Sequence, residues 1–407
     1  MSQKDILIEN GFIVSIEKAD SIGDADVSRI QGSNYHVSAG WFDLHVNFGE
    51  PGYEYKEDIE SGCNAAVRGG FTGVLIMPST EPPVSSRPAI EFIQKRAQNS
   101  PVSVHVAGSL SANREGKELA EMYDMYKAGT CVFTDDKQSV QDAGLMSLAL
   151  LYARNFGGRI FSFPEDRNLA GKGIVHEGIA STSLGLRGIP SIAEEVMISR
   201  DLSLAAYTGA ALHFSQISSS GSVELIRKAK ATGMKITADV AASYLLLDDT
   251  SLDGFDTVFK LKPPLRSDKD RKALIEGLCD GTIDCICSDH MPQDIENKKK
   301  EFEHAAYGAA GIETAFGVAR TATKDKLSVP ELISKFTTHP RQCAGLKTGL
   351  IERGQPADLT IFDPDMKWKV ERSELLSRSA NNPFIGKELT GKAIAIINKG
   401  TLNSCVR

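Results

Sequence analysis

The chain has 407 residues, of which 41% are apolar and 24% charged, as is typical of a globular protein with one large domain and room for a smaller one. The net charge is −7 and no basic stripe or tail is present, so we expect no nucleic-acid partner. We also expect no membrane span, and seven cysteines without a framework spacing favour reduced thiols in a cytoplasmic protein.

Short runs of β-forming residues lie near both ends of the chain and are bounded by glycine, asparagine and aspartate. The runs are Ile6–Ile8, Gly11–Val14, Ala357–Pro364 and Ala393–Asn398. We therefore predict a small β-domain made of residues 1–40 and 345–407, and a second domain made of residues 41–344.

Between the two ends, short apolar runs alternate with stretches that have apolar residues at helical spacing. The eight predicted strands are Trp41–His45, Thr72–Met77, Val102–Ala107, Thr130–Phe133, Arg159–Phe163, Ala211–Gln216, Lys235–Val240 and Ile283–Ser288. Among the predicted helices, Asp268–Leu278 begins with Ser267 and Asp270 in a pattern like a capping box. Eight strands that alternate with helices predict an α/β fold, specifically a (β/α)8 TIM-like barrel.

The first predicted barrel strand ends in Asp-Leu-His-Val-Asn at positions 43–47. Two histidines at positions i and i+2 of a strand point to the same side and can bind one pair of metal ions. Here the first position is His45 and the second is Asn47. Because barrel chemistry sits at the carboxyl ends of the strands, we expect the functional site there. The residues at those ends are His45, Asn47, Pro78, Ser79, Thr80, Asp135, Asp136, Phe163, Gln216 and Asp289.

A series of motifs runs through the chain in order. It comprises Gly-Glu-Pro-Gly at 49–52 with Tyr-Lys-Glu-Asp at 55–58, Phe-Thr-Asp-Asp at 133–136, Gly-Ile-Pro-Ser-Ile-Ala-Glu-Glu at 188–195, Lys-Pro-Pro-Leu-Arg at 262–266, Ser-Asp-His-Met-Pro at 288–292, Gly-Ile-Glu-Thr at 311–314 and Asn-Pro-Phe-Ile-Gly at 382–386. With these motifs the chain resembles, over nearly its whole length, the dihydroorotases of the amidohydrolase superfamily, in the class that associates with aspartate carbamoyltransferase. The resemblance implies a zinc-activated water that hydrolyses a cyclic amide, interconverting carbamoyl-aspartate and dihydroorotate. It also implies a homo-oligomer such as a dimer.

The resemblance further implies that His45 and one carboxylate of the Asp135–Asp136 pair bind the metal, with Asp136 preferred and Asp135 as the alternative. Asp289 stands at the position of the general acid/base and of a further ligand. Neutral or apolar residues replace the histidines at the other ligand positions, which are Asn47, Phe163 and Gln216. We therefore expect either no metal or a weakly bound Zn²⁺ or Mg²⁺.

The side chains that would hold the substrate carboxylate in such a family are also replaced. The positions of its arginine, its two asparagines and its last histidine carry Gly49, Ser79, Lys262 and Gln293. Lys262 is predicted either to bind an anion or to pair with Asp289.

Structural interpretations of the same residues remain open. Asp289 next to His290 is equally an ordinary buried carboxylate with hydrogen-bond partners. Asp135 or Asp136 equally caps a helix that begins near Ser139.

Replacement of metal ligands together with substrate-binding side chains predicts a dihydroorotase-like protein of pyrimidine biosynthesis that is catalytically impaired or inactive. The resemblance implies that such a protein acts as a scaffold or assembly partner of aspartate carbamoyltransferase. One alternative is an active cyclic-amide hydrolase with a reduced or mononuclear metal site. Another is a ligand sensor that uses the retained cavity and Lys262.

Overall fold

The computed structural model describes residues 3–19, 21 and 28–406. Its strands are β1 (Lys4–Glu9), β2 (Phe12–Lys18), β3 (His36–Ala39), β4 (Trp41–Val46), β5 (Phe71–Ile76), β6 (Ser103–Val106), β7 (Val132–Phe133), β8 (Arg159–Ser162), β9 (Val175–His176), β10 (Gly188–Ile189), β11 (Leu212–Phe214), β12 (Ile236–Ala241), β13 (Cys285–Cys287), β14 (Leu359–Lys369), β15 (Glu388–Asn398) and β16 (Thr401–Ser404). Its α-helices are α1 (Ile59–Gly69), α2 (Arg87–Arg96), α3 (Met122–Lys127), α4 (Ala143–Arg154), α5 (Arg167–Ala170), α6 (Ile179–Leu184), α7 (Ile192–Thr208), α8 (Ser220–Ala231), α9 (Asp268–Cys279), α10 (Ile295–Lys298), α11 (Ala315–Thr323), α12 (Val329–Ser334) and α13 (Thr338–Cys343).

Eight parallel strands of the described chain form a closed barrel. One sheet contains β4, β5 and β6, and the other contains β7, β8, β11, β12 and β13. A parallel bridge between Gly108 and Phe133 joins the sheets at one edge, and a second between Val46 and His290 joins them at the other. Each of the eight predicted strands is present, with ends that differ by a few residues, so the predicted (β/α)8 barrel is confirmed.

The outer helices begin and end where the local chemistry requires. The side chain of Ser267 accepts a hydrogen bond from the backbone N–H of Asp270, which confirms the predicted start of α9. The longest helix of the described residues, α7, begins at Ile192 and ends at Thr208, and the next residue, Gly209, caps it in the left-handed conformation. In the described ranges, no helix is both long enough and apolar enough to cross a lipid bilayer.

A separate antiparallel sheet joins the two ends of the chain. Its strand order is β16-β15-β14-β3, and Ala39 of β3 pairs with Leu359 of β14. Trp41 follows directly and is fully buried, with its ring 4.5 Å from Phe316 and 5.4 Å from Phe362. The sheet thus packs onto the first barrel strand through large aromatic side chains. The division into residues 41–344 and the two terminal segments stays a prediction.

Candidate functional site

Three polar residues just past the barrel strands have left-handed backbone conformations. They are Asp136 after β7, Gln216 after β11 and Asp289 after β13, with φ of 54°, 53° and 50°. A residue with a Cβ adopts this conformation at a cost of about 1–3 kcal/mol, and such positions concentrate at functional sites. The turn that each residue makes brings the three side chains together at the carboxyl end of the barrel.

His45, at the end of β4, lies between two of these carboxylates. Its Nε2 is 2.6 Å from Asp136 Oδ1, and its Nδ1 is 3.2 Å from Asp289 Oδ1, an ion-pair contact that is not aligned as a hydrogen bond. The three side chains are at most 8% exposed. Burial alone would lower the pKa of His45, but the Asp136 carboxylate outweighs it and the pKa rises to about 9. Burial opposes the charge on Asp136 as well, yet His45 holds the pKa of that carboxyl well below its usual range.

Asp43, two residues before His45, ties β4 to the end of β13. Its Oδ1 accepts hydrogen bonds from the backbone N–H groups of His45 and Ser288, each at 3.1 Å. Complete burial raises the pKa of Asp43 to about 6. Asp43 therefore positions His45 on the strand and does not contact the cluster of Asp136 and Asp289.

Lys137 is the residue of the site that the sequence interpretation missed. Its ammonium Nζ lies 2.8 Å from Asp289 Oδ1, 2.5 Å from Gln216 Oε1 and 2.7 Å from the backbone oxygen of Lys262. The side chain is 9% exposed, and Nζ lies 5.3 Å from the centroid of the Phe163 ring. Its sequence position could have revealed it, because Lys137 directly follows Asp136 at the end of a barrel strand. A cation there would repel a metal ion bound by the neighbouring predicted ligands.

The structure separates the two aspartates after β7. Asp135 accepts hydrogen bonds from the backbone N–H groups of Leu110 and Ser111 and from the Ser111 hydroxyl. Asp136, the preferred alternative, is the one that faces His45. The prediction that either aspartate caps a helix is wrong, because α4 begins at Ala143 with Asp142 as its cap.

The remaining replaced ligand positions line the same cluster. Gln216 Nε2 donates to Asp289 Oδ1 at 3.2 Å, while Phe163 is 4% exposed and offers no lone pair. Both amide atoms of Asn47 are buried and have no hydrogen-bond partner in the described part of the chain. Asp289 is therefore held by Lys137, Gln216 and the His45 contact.

The replaced substrate positions do not gather into one binding group. Ser79 Oγ donates to Asp136 Oδ2, and Lys262 Nζ pairs with Glu165 Oε1 at 2.7 Å. Of the two interpretations of Lys262, pairing with Asp289 is wrong, because Lys137 takes that place. Gln293 is 4% exposed, and its Oε1 has no partner among the described residues.

Gly49 shows why a long side chain is excluded at its position in this backbone. Its φ is +68°, and a Cβ there would lie 2.7 Å from the backbone oxygen of Glu57 and 2.8 Å from that of Tyr53. An arginine at this position would require both a different backbone conformation and a shift of the loop 53–57.

These donors do not fit the metal centre that the family resemblance implies. Zinc requires several N, S or O donors with lone pairs directed at one point. Both ring nitrogens of His45 face carboxylates, and an ammonium group lies against Asp289. Residues 3–19, 21 and 28–406 contain no group of three or more His, Cys, Asp or Glu side chains arranged to hold a metal ion. Metal binding by His45, Asp136 and Asp289 stays a prediction.

Comparisons with known proteins agree with this architecture. A dihydro-orotase-like profile matches residues 34–222, and an amidohydrolase family profile matches residues 173–402. A dihydroorotase of Carboxydothermus hydrogenoformans is 40% identical over 97% of this chain and 92% of its own length. A dihydroorotase of Pelotomaculum thermopropionicum is 42% identical over 98% of this chain and 94% of its own.

Solved structures match the fold over the same length. The L-hydantoinase (dihydropyrimidinase) of Arthrobacter aurescens superposes with a TM-score of 0.86 at 25% identity, covering 98% of this chain and 92% of its own. A D-hydantoinase (dihydropyrimidinase) of a Thermus species gives a TM-score of 0.82 at 21% identity, covering 98% and 91%. The latter likeness concerns the fold alone.

Proposed function

Because the chain belongs to the dihydroorotase-like group of the amidohydrolase family, we propose that it is a member of that group that lacks metal-dependent ring opening. The observation that carries the proposal is the state of His45, the one imidazole kept at the four histidine positions. Nε2 is hydrogen-bonded to the buried carboxylate of Asp136 and Nδ1 lies 3.2 Å from that of Asp289, so a metal ion at His45 would have to replace one of these contacts. Without a metal, the family's way of activating water is missing.

The substrate side of the site supports the same proposal. Dihydroorotate carries a carboxylate, which binds tightly where charge-assisted hydrogen bonds meet it. Lys262, a cation near the mouth, is already paired with Glu165, and Gly49 leaves no room for an arginine. A bound substrate carboxylate would thus lose its water without gaining an equivalent partner.

We further propose that the protein acts as a scaffold or assembly partner of aspartate carbamoyltransferase, as a homo-oligomer such as a dimer. The resemblance to the class that associates with this enzyme supports the proposal, as does a fold kept over nearly the full chain. A cytoplasmic location stays a prediction, supported by seven free cysteines. We expect the purified chain and the carbamoyltransferase of the same cell to co-elute in size-exclusion chromatography. Separate elution at micromolar concentration would argue against the role.

The test of lost activity is dihydroorotate ring opening by the purified full chain, with and without added Zn²⁺. We expect the rate to equal that of an Asp289→Ala variant under both conditions, because no activated water is available. Zinc-dependent turnover that disappears in Asp289→Ala would show that the remaining donors suffice and that the proposal is wrong.

A second candidate is an active cyclic-amide hydrolase with a reduced or mononuclear metal site. Relatives named dihydroorotase at 40–42% identity over nearly the whole chain favour it. A neutral cyclic amide suits this site better than dihydroorotate, because it needs no cationic partner for a carboxylate. Ring opening of an uncharged dihydropyrimidine, lost in Asp289→Ala, would establish this candidate over the first.

A further inference from the structure

The Lys137 side chain crosses the barrel mouth and joins separate segments of the chain. It starts after β7, and its ammonium reaches Gln216 after β11, Asp289 after β13 and the backbone of Lys262 in the segment before α9. An ammonium group has three N–H donors, and here three oxygen acceptors lie within 2.8 Å of it. All of its donors therefore have partners inside the protein.

The positive charge of Lys137 also compensates the buried negative charges of the site. Asp136 and Asp289 are side chains of at most 8% exposure, and buried carboxylates are costly without a nearby cation. Lys137 supplies one positive charge at 2.8 Å from Asp289, and His45 contacts both carboxylates. A divalent ion that entered the site would have to displace the ammonium, and the protein would lose the two hydrogen bonds and the ion pair that Lys137 makes there.

Phe163 completes the enclosure on one side. The ring is 4% exposed and lies 5.3 Å from Lys137 Nζ, within the range in which an aromatic face attracts a cation. It provides no lone pair for a metal and covers one side of the ammonium with an aromatic ring. The Phe163 ring therefore favours the ammonium of Lys137 over a hydrated metal ion at this position.

We propose that the Lys137 ammonium is a built-in cation of the barrel mouth, which ties the strand ends together and keeps divalent metal ions out. The inference deepens the proposed function, because it explains how the site persists without a metal. It also stands apart from it. Dihydroorotate turnover above the Asp289→Ala rate that continues in EDTA would overturn the proposed loss of activity and leave this inference intact, whereas zinc bound by the wild type without turnover would overturn only this inference.

Zinc binding and thermal unfolding of the full chain test the inference. We expect the wild-type melting temperature to be the same in EDTA and in excess Zn²⁺, and the gel-filtered protein to carry well under one equivalent of zinc. In Lys137→Ala we expect about one equivalent of bound zinc and a melting temperature that zinc raises by a few degrees, because binding to the folded state alone stabilises it. Adding Asp289→Asn to Lys137→Ala should abolish both gains.

Lys117→Ala is the matched control, since its side chain is 76% exposed and pairs with Glu115 on the surface. It should behave like the wild type in every measurement. One equivalent of zinc bound by the wild type and lost in Asp289→Asn would overturn the inference, as would a folded Lys137→Ala that gains no zinc. If Lys137→Ala does not fold, Lys137→Met replaces it, and the wild-type zinc titration still decides whether the metal is kept out.

Discussion

Two buried histidines of this barrel look alike in chemistry and differ in setting. His45 at the mouth contacts Asp136 and Asp289, while His213 inside β11 donates or accepts at 2.8 Å from Asp239 Oδ2 and 2.9 Å from Thr237 Oγ1. In both cases burial would lower the pKa, hydrogen bonds and nearby charges outweigh it, and the pKa rises to about 9. A buried histidine with a raised pKa is therefore no mark of a functional site by itself.

The surroundings of the two histidines distinguish them. His213 sits in a regular strand with both nitrogens partnered and its ring 4.1 Å from Phe161. The partners of His45 come from strained left-handed positions, and Asn47 nearby keeps unpartnered amide atoms. Backbone strain and unsatisfied polar atoms are better signs of a functional site than charge pairing is.

The strongest test of the comparison removes the carboxylate of the core pair. Asp239→Ala leaves His213 buried without its anion, and it also removes the acceptor for the backbone N–H of Gln216. We expect the free energy of unfolding to fall by about 3–5 kcal/mol in urea denaturation, the usual cost of breaking a buried pair. Asp268→Ala, at a side chain that is 46% exposed, is the control and should change it by less than about 1 kcal/mol. Equal losses in the two variants would mean that the buried His213–Asp239 pair stabilises the protein no more than an exposed ion pair does.

The pH dependence of stability tests whether His213 has the raised pKa that it shares with His45. Burial lowers the pKa of His213, but its contacts with Asp239 and Cys343 outweigh burial and raise the folded pKa to about 9 from 6.5. The contribution of His213 to stability is therefore complete below pH 6.5 and disappears as the pH rises through 9. We expect His213→Gln to be less stable than the wild type by about 3 kcal/mol at pH 6, with the gap closing by pH 9.5. The measurement is urea unfolding across this pH range. A gap that stays constant with pH would show that His213 is neutral in the folded protein.

The smallest expected change in stability distinguishes the region of His213, where the polar atoms have hydrogen-bond partners, from the region of Asn47, where the amide atoms have none. Thr237→Val removes the hydroxyl partner of His213 and should cost about 1 kcal/mol. Asn47→Leu removes amide atoms that have no partner, so we expect the free energy of unfolding to stay within about 0.5 kcal/mol or to increase. Chemical denaturation of both variants side by side decides the matter. A larger loss in Asn47→Leu than in Thr237→Val would reverse the comparison.

The barrel was predictable because its strands are short apolar runs separated by helices with clear ends. The site was predictable only at single positions, since strand ends identify His45, Asp136 and Asp289 but not what they touch. Lys137 was missed because its acceptors lie 79 and 125 residues further along the chain, at Gln216 and Lys262. No local pattern encodes such a meeting.

The start of α4 was predicted too early for a similar reason. The side chains of Ser139 and Gln141 are hydrogen-bonded to the backbone of Glu165, and both residues lie before the helix, which begins at Ala143. Side-chain hydrogen bonds to a distant loop thus compete with the helical conformation in residues 139–141, and the helix begins later in the chain.

The pairing of β3 with β14 determines when β3 can fold during synthesis on the ribosome. Ala39 of β3 pairs with Leu359 of β14, a partner 320 residues later in the chain. At about 5–20 residues per second, the emerging β3 waits roughly 16–64 s for that partner. During this interval its edge is unpaired and open to other chains. The β3 edge of a nascent chain therefore stays unpaired until β14 has left the exit tunnel.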